Sequence, residues 1–299
     1  MKYSNPQIPE GINVSDRHPL KELLILLGGA LVLVVVLSWI LAEFGGRLAR
    51  LVPFEHELSM APDSLLSSDA PPALQRYLDD LAQRLQTQMD LPKGMTIKLH
   101  LSGSDTFNAF ATLGGNILLF RGLVEKLPNE NALAMLLAHE IAHVQHRDPI
   151  AGVGQTAAVQ TMLSLLFGSA DLSILGSAGL HTQLSFNRDM ERAADATALA
   201  AVYRVYGHLA GANDLFAAIQ AERRRTGDGE LPAIFSSHPL DQERLDAIIA
   251  TAKANGWSTE GSVTPLPSQF LAWLRQSQQA SILHDDAPAK AIPESPPVR

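Results

Sequence analysis

The sequence predicts a mainly helical protein of the α+β class, in which one long apolar helix precedes a single domain. Leu23 to Ala42 is free of charge over 20 residues, and several later segments repeat apolar residues with the helical period. Between those segments lie short β segments and a Gly-Gly turn. With 299 residues and 46% hydrophobic content, the chain can bury one sizeable core. We therefore expect one domain with appendages.

The apolar run from Leu23 to Ala42 has the length that a helix needs to span a bilayer. It is too long, and begins too late, for the apolar region of a cleaved signal peptide. We predict a single transmembrane helix that stays attached and contacts the lipid bilayer. The expected organisation is an N-terminal segment (1–22), an anchor (23–42), a polar linker (43–72), the domain (73–280) and a disordered tail (281–299).

Basic residues near the anchor indicate its orientation. Lys2, Arg17 and Lys21 precede the span, and Arg47 and Arg50 follow it. Because basic residues favour the cytoplasmic side, this balance favours an inside N-terminus and a domain outside the cytoplasm. The net charge of −8 argues against a nucleic-acid partner, and the absence of cysteine excludes disulfides and thiolate metal ligands.

Within the domain, residues 73–89 predict a one-sided helix, because leucines recur at its helical period. Residues 95–101 and 117–120 read as β segments, and the turn at 114–116 joins the latter to 107–112 in a small hairpin or meander. A further helix is expected from Asp241 to Ala254. The apolar, glycine-broken stretch 150–180 predicts two shorter helices that do not span the membrane, and serve as a mobile lid, a membrane-leaning hairpin or plain core.

The sequence His-Glu-Ile-Ala-His at 139–143 predicts a metal site. Helix formers precede it and Arg147-Asp148-Pro149 supplies a helix stop, so the motif sits in a helix. Residues four apart lie on one helical face, which lets His139 and His143 reach one tetrahedral Zn²⁺ with Glu140 beside them as general base. A core helix with two satisfied histidines is the alternative.

A third ligand must come from elsewhere in the chain, leaving the fourth position open for water. Glu191 and Asp195 are again four residues apart on a predicted helix, with small alanines between and after them. Glu191 can bind the metal, and Asp195 can orient His139 or His143 as a supporting carboxylate. Taken alone, this pair is equally typical of a solvated charged face.

Taken together, these motifs resemble the HtpX/CAAX-prenyl-protease superfamily of membrane-associated zinc metallopeptidases. The resemblance covers approximately residues 72–252 and includes the 108–115 segment upstream and Ser237-His238-Pro239 with Arg244 downstream. In organisation the chain is most similar to the single-domain bacterial members. The resemblance implies a zincin-type domain with helices around the HExxH helix and a small hairpin or meander at the cleft. It also implies that His139, His143 and Glu191 bind one Zn²⁺, Glu140 activates water and Asp195 orients a ligand.

Three further features border this site. Asn108, Ala109, Phe110 and Ala111 lie in a strand that could pair with an extended peptide, or simply build the fold. His238, in a loop before Pro239, could be a gate at the fourth metal position, a transition-state stabiliser or a plain loop contact. His146 lies one turn too far along the helix to share the ion. We expect it near the ligands or at the surface.

The expected activity is metalloendopeptidase cleavage of polypeptides. Zinc would lower the pKa of a water molecule and polarise the scissile carbonyl, while Glu140 takes the proton and passes it to the leaving amine. The resemblance implies misfolded or membrane-associated substrates, quality control, and a bacterial inner-membrane location facing the periplasm. A chaperone-like binding module with little hydrolysis and a non-peptidase zinc hydrolase are the alternatives.

Overall fold

A long N-terminal helix and a group of shorter helices around a small sheet make up the described part of the fold. A computed structural model of the chain describes residues 19–61, 67–167, 186–227 and 232–285. The helices are α1 (Pro19–Ala49), α2 (Phe54–Met60), α3 (Pro72–Gln86), α4 (Arg121–Val124), α5 (Glu130–Gln145), α6 (Asp148–Phe167), α7 (Arg188–Tyr206), α8 (Asp214–Thr226), α9 (Ile234–Ser237), α10 (Gln242–Ala254) and α11 (Phe270–Asp285). The strands are β1 (Lys98–Ser102), β2 (Ala109–Thr112) and β3 (Asn116–Phe120). The predicted fold class is confirmed.

The sheet has β3 at its centre. β2 pairs with it antiparallel through the predicted hairpin, and β1 pairs with it parallel on the other side. Gly114 and Gly115 form the turn with φ values of 70° and 74°, a left-handed conformation that glycine adopts without steric cost. Because the consecutive strands β1 and β2 lie on opposite sides of β3, the sheet contains a hairpin but is not a meander.

Helix α5 is the central element of the core. All its residues from Glu130 to Val144 are buried, and the Asn129 side chain caps it by accepting a bond from Ala132 N at 2.8 Å. The predicted one-sided helix α3 buries Leu74, Leu78, Leu81 and Leu85. On another side, α7 packs against α5. Its alanines at 194, 198 and 201 are fully buried, which lets the two helices approach closely as predicted.

The apolar helix α1 is the one described helix that is long and apolar enough to cross a membrane, over Leu20–Ala49 with a mean hydropathy of 2.9. Length and composition support a span, although a signal sequence near an N-terminus has the same properties. The end of α1 packs against α6, which runs unbroken to Phe167. The rest of the 150–180 stretch lies outside the described residues.

The segment expected to be a plain linker carries structure. Helix α1 continues to Ala49, and α2 follows at Phe54–Met60. Glu57 on α2 is buried, and its carboxylate is satisfied there by bonds from Arg147 Nε at 2.8 Å and Gly114 N at 3.4 Å. This part of the chain therefore fastens α1 to the domain. At the other end, α11 extends to Asp285 into the expected tail, and residues 286–299 lie outside the described part.

Candidate metal centre

Helix α5 presents His139, Glu140 and His143 to one buried spot. The four-residue spacing places the two imidazoles on the same face, with their Nε2 atoms 3.1 Å apart. All three side chains are buried. One carboxylate oxygen of Glu140, Oε2, is buried and has no hydrogen-bond partner in the structure. A buried carboxylate of this kind is suited to a polar ligand or reactant rather than to a structural core role.

Helix α7 brings the third donor to the same spot. The Asn187 side chain caps α7 by accepting bonds from Asp189 N and Met190 N, both at 3.0 Å, and this fixes the start of the helix. One turn later, Glu191 Oε1 lies 3.3 Å from His143 Nε2, and Oε2 lies 3.5 Å from His139 Nε2. The three residues predicted as metal ligands thus converge, although they come from two helices.

The separations between these donor atoms suit a metal ion. In a tetrahedral zinc site with bonds of about 2.0–2.1 Å, neighbouring ligand atoms are about 3.3 Å apart. The three measured separations within the set His139, His143 and Glu191 run from 3.1 to 3.5 Å. Two neutral imidazole nitrogens and one carboxylate are also ligands that zinc accepts. The donor set therefore fits zinc in both chemistry and geometry.

Each imidazole has a carboxylate behind it. Asp195 Oδ1 lies 3.0 Å from His139 Nδ1, the arrangement that the sequence predicted for this residue. Asp148 Oδ2 lies 2.9 Å from His143 Nδ1, a contact that the sequence did not predict. Such carboxylates hold the proton on Nδ1 and leave Nε2 free for a metal. Both rings are therefore oriented for binding through Nε2.

Arg244 on α10 fastens the two acidic residues of α7. Its Nε and Nη2 atoms donate to the two oxygens of Asp195 at 2.5 and 2.9 Å, and Nη1 contacts Glu191 Oε2. The helix cap supports this placement, because Asp241 Oδ1 accepts a bond from the Arg244 backbone N–H. The sequence motif includes Arg244 but does not indicate its role. Here it holds two buried carboxylates in fixed orientations.

These charges shift the ionisation of the cluster. Burial lowers the pKa of His139, but the adjacent Asp195 and Glu191 carboxylates outweigh burial and raise its pKa to about 10. Burial also lowers the pKa of His143, but the Asp148 and Glu191 carboxylates outweigh burial and raise it. Burial raises the pKa of Glu191, yet His238 and the two α5 histidines hold it well below its usual range. The carboxylates thus favour positive charge at their centre, which protons or a metal ion can supply.

His238 lies at the fourth corner of the donor set. Its Nδ1 is 2.9 Å from Glu191 Oε1 and 3.3 Å from His139 Nε2, and its Nε2 is 3.6 Å from Glu140 Oε1. Donor atoms from His238 and the three predicted ligands all lie within 4.8 Å of one another. His146 does not join them, since its Nε2 is 3.1 Å from Thr197 Oγ1. His238 is therefore the one remaining candidate among the two extra histidines.

The expected substrate strand is close to the His238 loop. Ser237 Oγ donates to Asn108 Oδ1 at 3.2 Å, and β2 lies at an edge of the sheet. However, Asn108 and all of β2 are buried, including Ala109, Phe110 and Ala111. A peptide could pair with this edge only after the groups that cover it move.

A small apolar recess opens beside the donor cluster. Its polar side is formed by His139, Glu140, His238 and Arg244. Its apolar side is formed by Leu136, Leu215, Phe216, Ile219, Ile234 and Leu240. With a volume of about 20 Å³, the recess has room for about one water molecule, so a substrate side chain could enter only if its walls moved apart.

A buried helix carrying HExxH, faced by a carboxylate from a second helix, is the arrangement of metal-dependent hydrolases. Within that class, residues 72–252 match the profile of peptidase family M48, so the chain belongs to this family. The match has the bounds that the sequence motifs predicted, and it confirms the predicted relationship.

Named relatives agree with this membership. The chain is 28% identical to the mitochondrial metalloendopeptidase OMA1 of Schizosaccharomyces pombe over 69% of its length and 60% of the relative's. It is 29% identical to the beta-barrel assembly-enhancing protease of Escherichia coli over 58% of its length and 38% of the relative's. It is also 34% identical to the protease HtpX homolog of Salinibacter ruber, over 40% and 48% of the two lengths. The matches thus span less than two thirds of each relative.

Proposed function

We propose that this chain is a membrane-anchored zinc metalloendopeptidase with one Zn²⁺ per chain. The observation that carries the proposal is the convergence of His139, His143 and Glu191 at zinc-ligand separations, with the Glu140 carboxylate beside them. Membership of peptidase family M48 supports peptide-bond hydrolysis.

In this mechanism, His139, His143 and Glu191 would hold the zinc ion, which supplies Lewis acidity and makes a water molecule more acidic. Glu140 accepts the proton of the attacking water and passes it to the leaving amine, so that nitrogen departs as a neutral group. The carboxylates behind the two imidazoles keep Nε2 directed inward. Burial of these side chains excludes bulk water and strengthens each electrostatic contact.

His238 is proposed to gate the site. Its Nδ1 lies at the fourth corner of the donor set, which a catalytic zinc site keeps for water or substrate. Contact of its other nitrogen with Glu140 would also restrain the general base. Substrate entry therefore requires the loop after α9 to move, which would take His238 away from Glu191.

We expect His238→Ala to increase peptide cleavage severalfold, because the closed arrangement no longer competes with water and substrate. Initial rates on a quenched peptide, measured alongside zinc content, test this. His208→Ala is the control, since His208 is outside the donor cluster. A fall in rate at unchanged zinc content would assign His238 to transition-state stabilisation instead.

The apolar helix, the basic residues beside it and the named relatives support a proposed location and biological role. The length and hydropathy of α1 support attachment to a membrane. The basic residues beside α1 and the relatives named as beta-barrel assembly-enhancing proteases support a bacterial inner membrane, with the domain in the periplasm. Misfolded or membrane-associated polypeptides are the proposed substrates, in quality control of the membrane or envelope.

Terminal-fragment proteomics of membranes tests the proposal as a whole. Cells carrying the parent chain are compared with cells carrying Glu140→Gln, and new protein N-termini that depend on Glu140 identify substrates, cleavage sites and compartment together. Purified parent chain and purified Glu140→Gln are assayed on a peptide library in parallel. If neither experiment detects cleavage that depends on Glu140, the chain is not an endopeptidase.

A further inference from the structure

The residue that follows the apolar helix forms an ion pair beneath the metal centre. Helix α1 ends at Ala49, and Arg50 Nη2 lies 2.9 Å from Asp148 Oδ1. The Asp148 side chain is only 2% exposed, whereas Arg50 is 38% exposed. The buried carboxylate therefore receives a positive charge from the end of α1.

Asp148 uses its two oxygens for different partners. Oδ1 faces Arg50, and Oδ2 lies 2.9 Å from His143 Nδ1. On the opposite edge of the His143 ring, Nε2 lies 3.3 Å from Glu191 Oε1. An unbroken line of contacts thus runs from the end of α1, through Asp148, to the donor atom of a proposed metal ligand.

Close packing of α1 on α6 sets the position of Arg50. A Cβ on Gly45 would lie 2.4 Å from Gly154 O, and one on Gly154 would lie 2.5 Å from Ala49 Cβ. These distances are too short for any side chain, so the two helices meet backbone to backbone. Since Asp148 begins α6, this contact fixes its distance from the end of α1.

A second set of contacts fixes the turn between α5 and α6, just before Asp148. Arg147, between α5 and α6, has a φ of 61°, which is an unfavourable conformation for a residue with a side chain. Its guanidinium donates to Val52 O at 2.6 Å and to Glu57 Oε1 through Nε at 2.8 Å. The segment after α1 therefore stabilises the turn that aims Asp148 at His143.

We infer that Arg50 is a positioning residue of the metal centre. Docking of the apolar helix α1 places Arg50, and Arg50 in turn sets the affinity of the centre for zinc. The inference rests on the proposed function, because it takes His143 as a zinc ligand. Arg50 acts through Asp148: it holds one carboxylate oxygen, so that the other remains directed at His143 Nδ1. Without Arg50, the carboxylate is free to rotate and the ring is held less firmly.

The test measures zinc affinity of the full chain in lipid nanodiscs by competition with a chromophoric chelator. We expect Arg50→Gln to weaken zinc binding about tenfold, the lower end of the loss seen when groups behind metal ligands are removed. Arg50→Lys, which keeps the charge, restores part of the affinity. Arg47→Gln is the matched control, because Arg47 lies one turn earlier, is 71% exposed and pairs with Glu43. Its affinity should equal that of the parent.

A double-mutant cycle separates positioning from general stability. If Arg50 acts through Asp148, Arg50→Gln combined with Asp148→Asn should bind zinc as weakly as Asp148→Asn alone. Additive losses, or parental affinity in Arg50→Gln, would overturn the inference. Should Arg50→Gln fail to fold, the same cycle is run with Arg50→Met, which removes the charge but keeps an apolar stem of similar length, and is judged by the same criterion. A parent chain that binds no zinc would instead overturn the proposed metal centre itself.

Discussion

Glu140→Gln is expected to abolish measurable peptide cleavage while the chain still binds zinc. A general base contributes about 10²- to 10⁴-fold to a hydrolytic rate, and the amide of glutamine has no basic oxygen to take its place. Folding should be unaffected, because glutamine has the same shape and Glu140 Oε2 has no hydrogen-bond partner to lose. The rate on a quenched peptide and the zinc content of the purified variant are the two measurements.

Zinc retention makes this prediction specific. Glu140 lies outside the set of three donors. Asp195 and Asp148 hold the two imidazoles at their Nδ1 atoms, and Arg244 holds the Glu191 carboxylate. Glu243→Gln is the control, because Glu243 is 65% exposed on α10, pairs with Arg192 and is not part of the donor cluster. Loss of zinc in Glu140→Gln would mean that Glu140 holds the metal, and cleavage at the parental rate would exclude it as the base.

The helix of the HExxH motif could be predicted because its signals are local. A run of helix formers, the four-residue spacing and the following Asp-Pro pair all lie within 20 residues. The structure places α5 where this pattern indicated and points both histidines at one spot. Glu191 and Asp195 could be proposed for the same reason, since they share a helical face. Which histidine Asp195 supports depended on how α7 packs against α5, which only the structure gives.

Asp148 was missed because a straight helix would separate it from His143. The two residues are five positions apart, and the Asp-Pro pair had been interpreted only as a helix stop. The left-handed conformation of Arg147 turns the chain sharply, so that Asp148 comes back beneath the imidazole. A bulky residue in this conformation gives no sequence signal of its own, because glycine is the residue usually expected there.

The role of Arg244 also could not be predicted from the sequence. Its partners Glu191 and Asp195 are 53 and 49 residues away along the chain, and a contact of that range depends on the whole packing of α10 on α7. The same holds for Arg50, 98 residues from Asp148. Ion pairs between distant helices have no periodicity to detect, and therefore the sequence assigned neither arginine a role at the metal centre.

Arg244→Met is expected to cause the largest loss of stability among single changes at the site. The guanidinium is buried and is bound to both oxygens of Asp195 and to Glu191. Methionine fills much of the same volume but leaves two buried carboxylates without their cation. Breaking a buried ion pair in this way costs about 3–5 kcal/mol of unfolding free energy. For a domain of this size, that corresponds to a fall in Tm of roughly 6–20 °C.

Thermal unfolding in the presence of a chelator measures this loss directly. Arg192→Met is the matched control, because Arg192 also pairs with two acidic residues, Asp189 and Glu243, but at the surface. Its Tm should match that of the parent, since water screens those charges. Added zinc should restore part of the stability of Arg244→Met, because a cation bound by Glu191 neutralises that carboxylate, whereas Asp195 stays uncompensated. If Arg244→Met has the same Tm as the parent in chelator, groups other than Arg244 compensate the charges of Glu191 and Asp195.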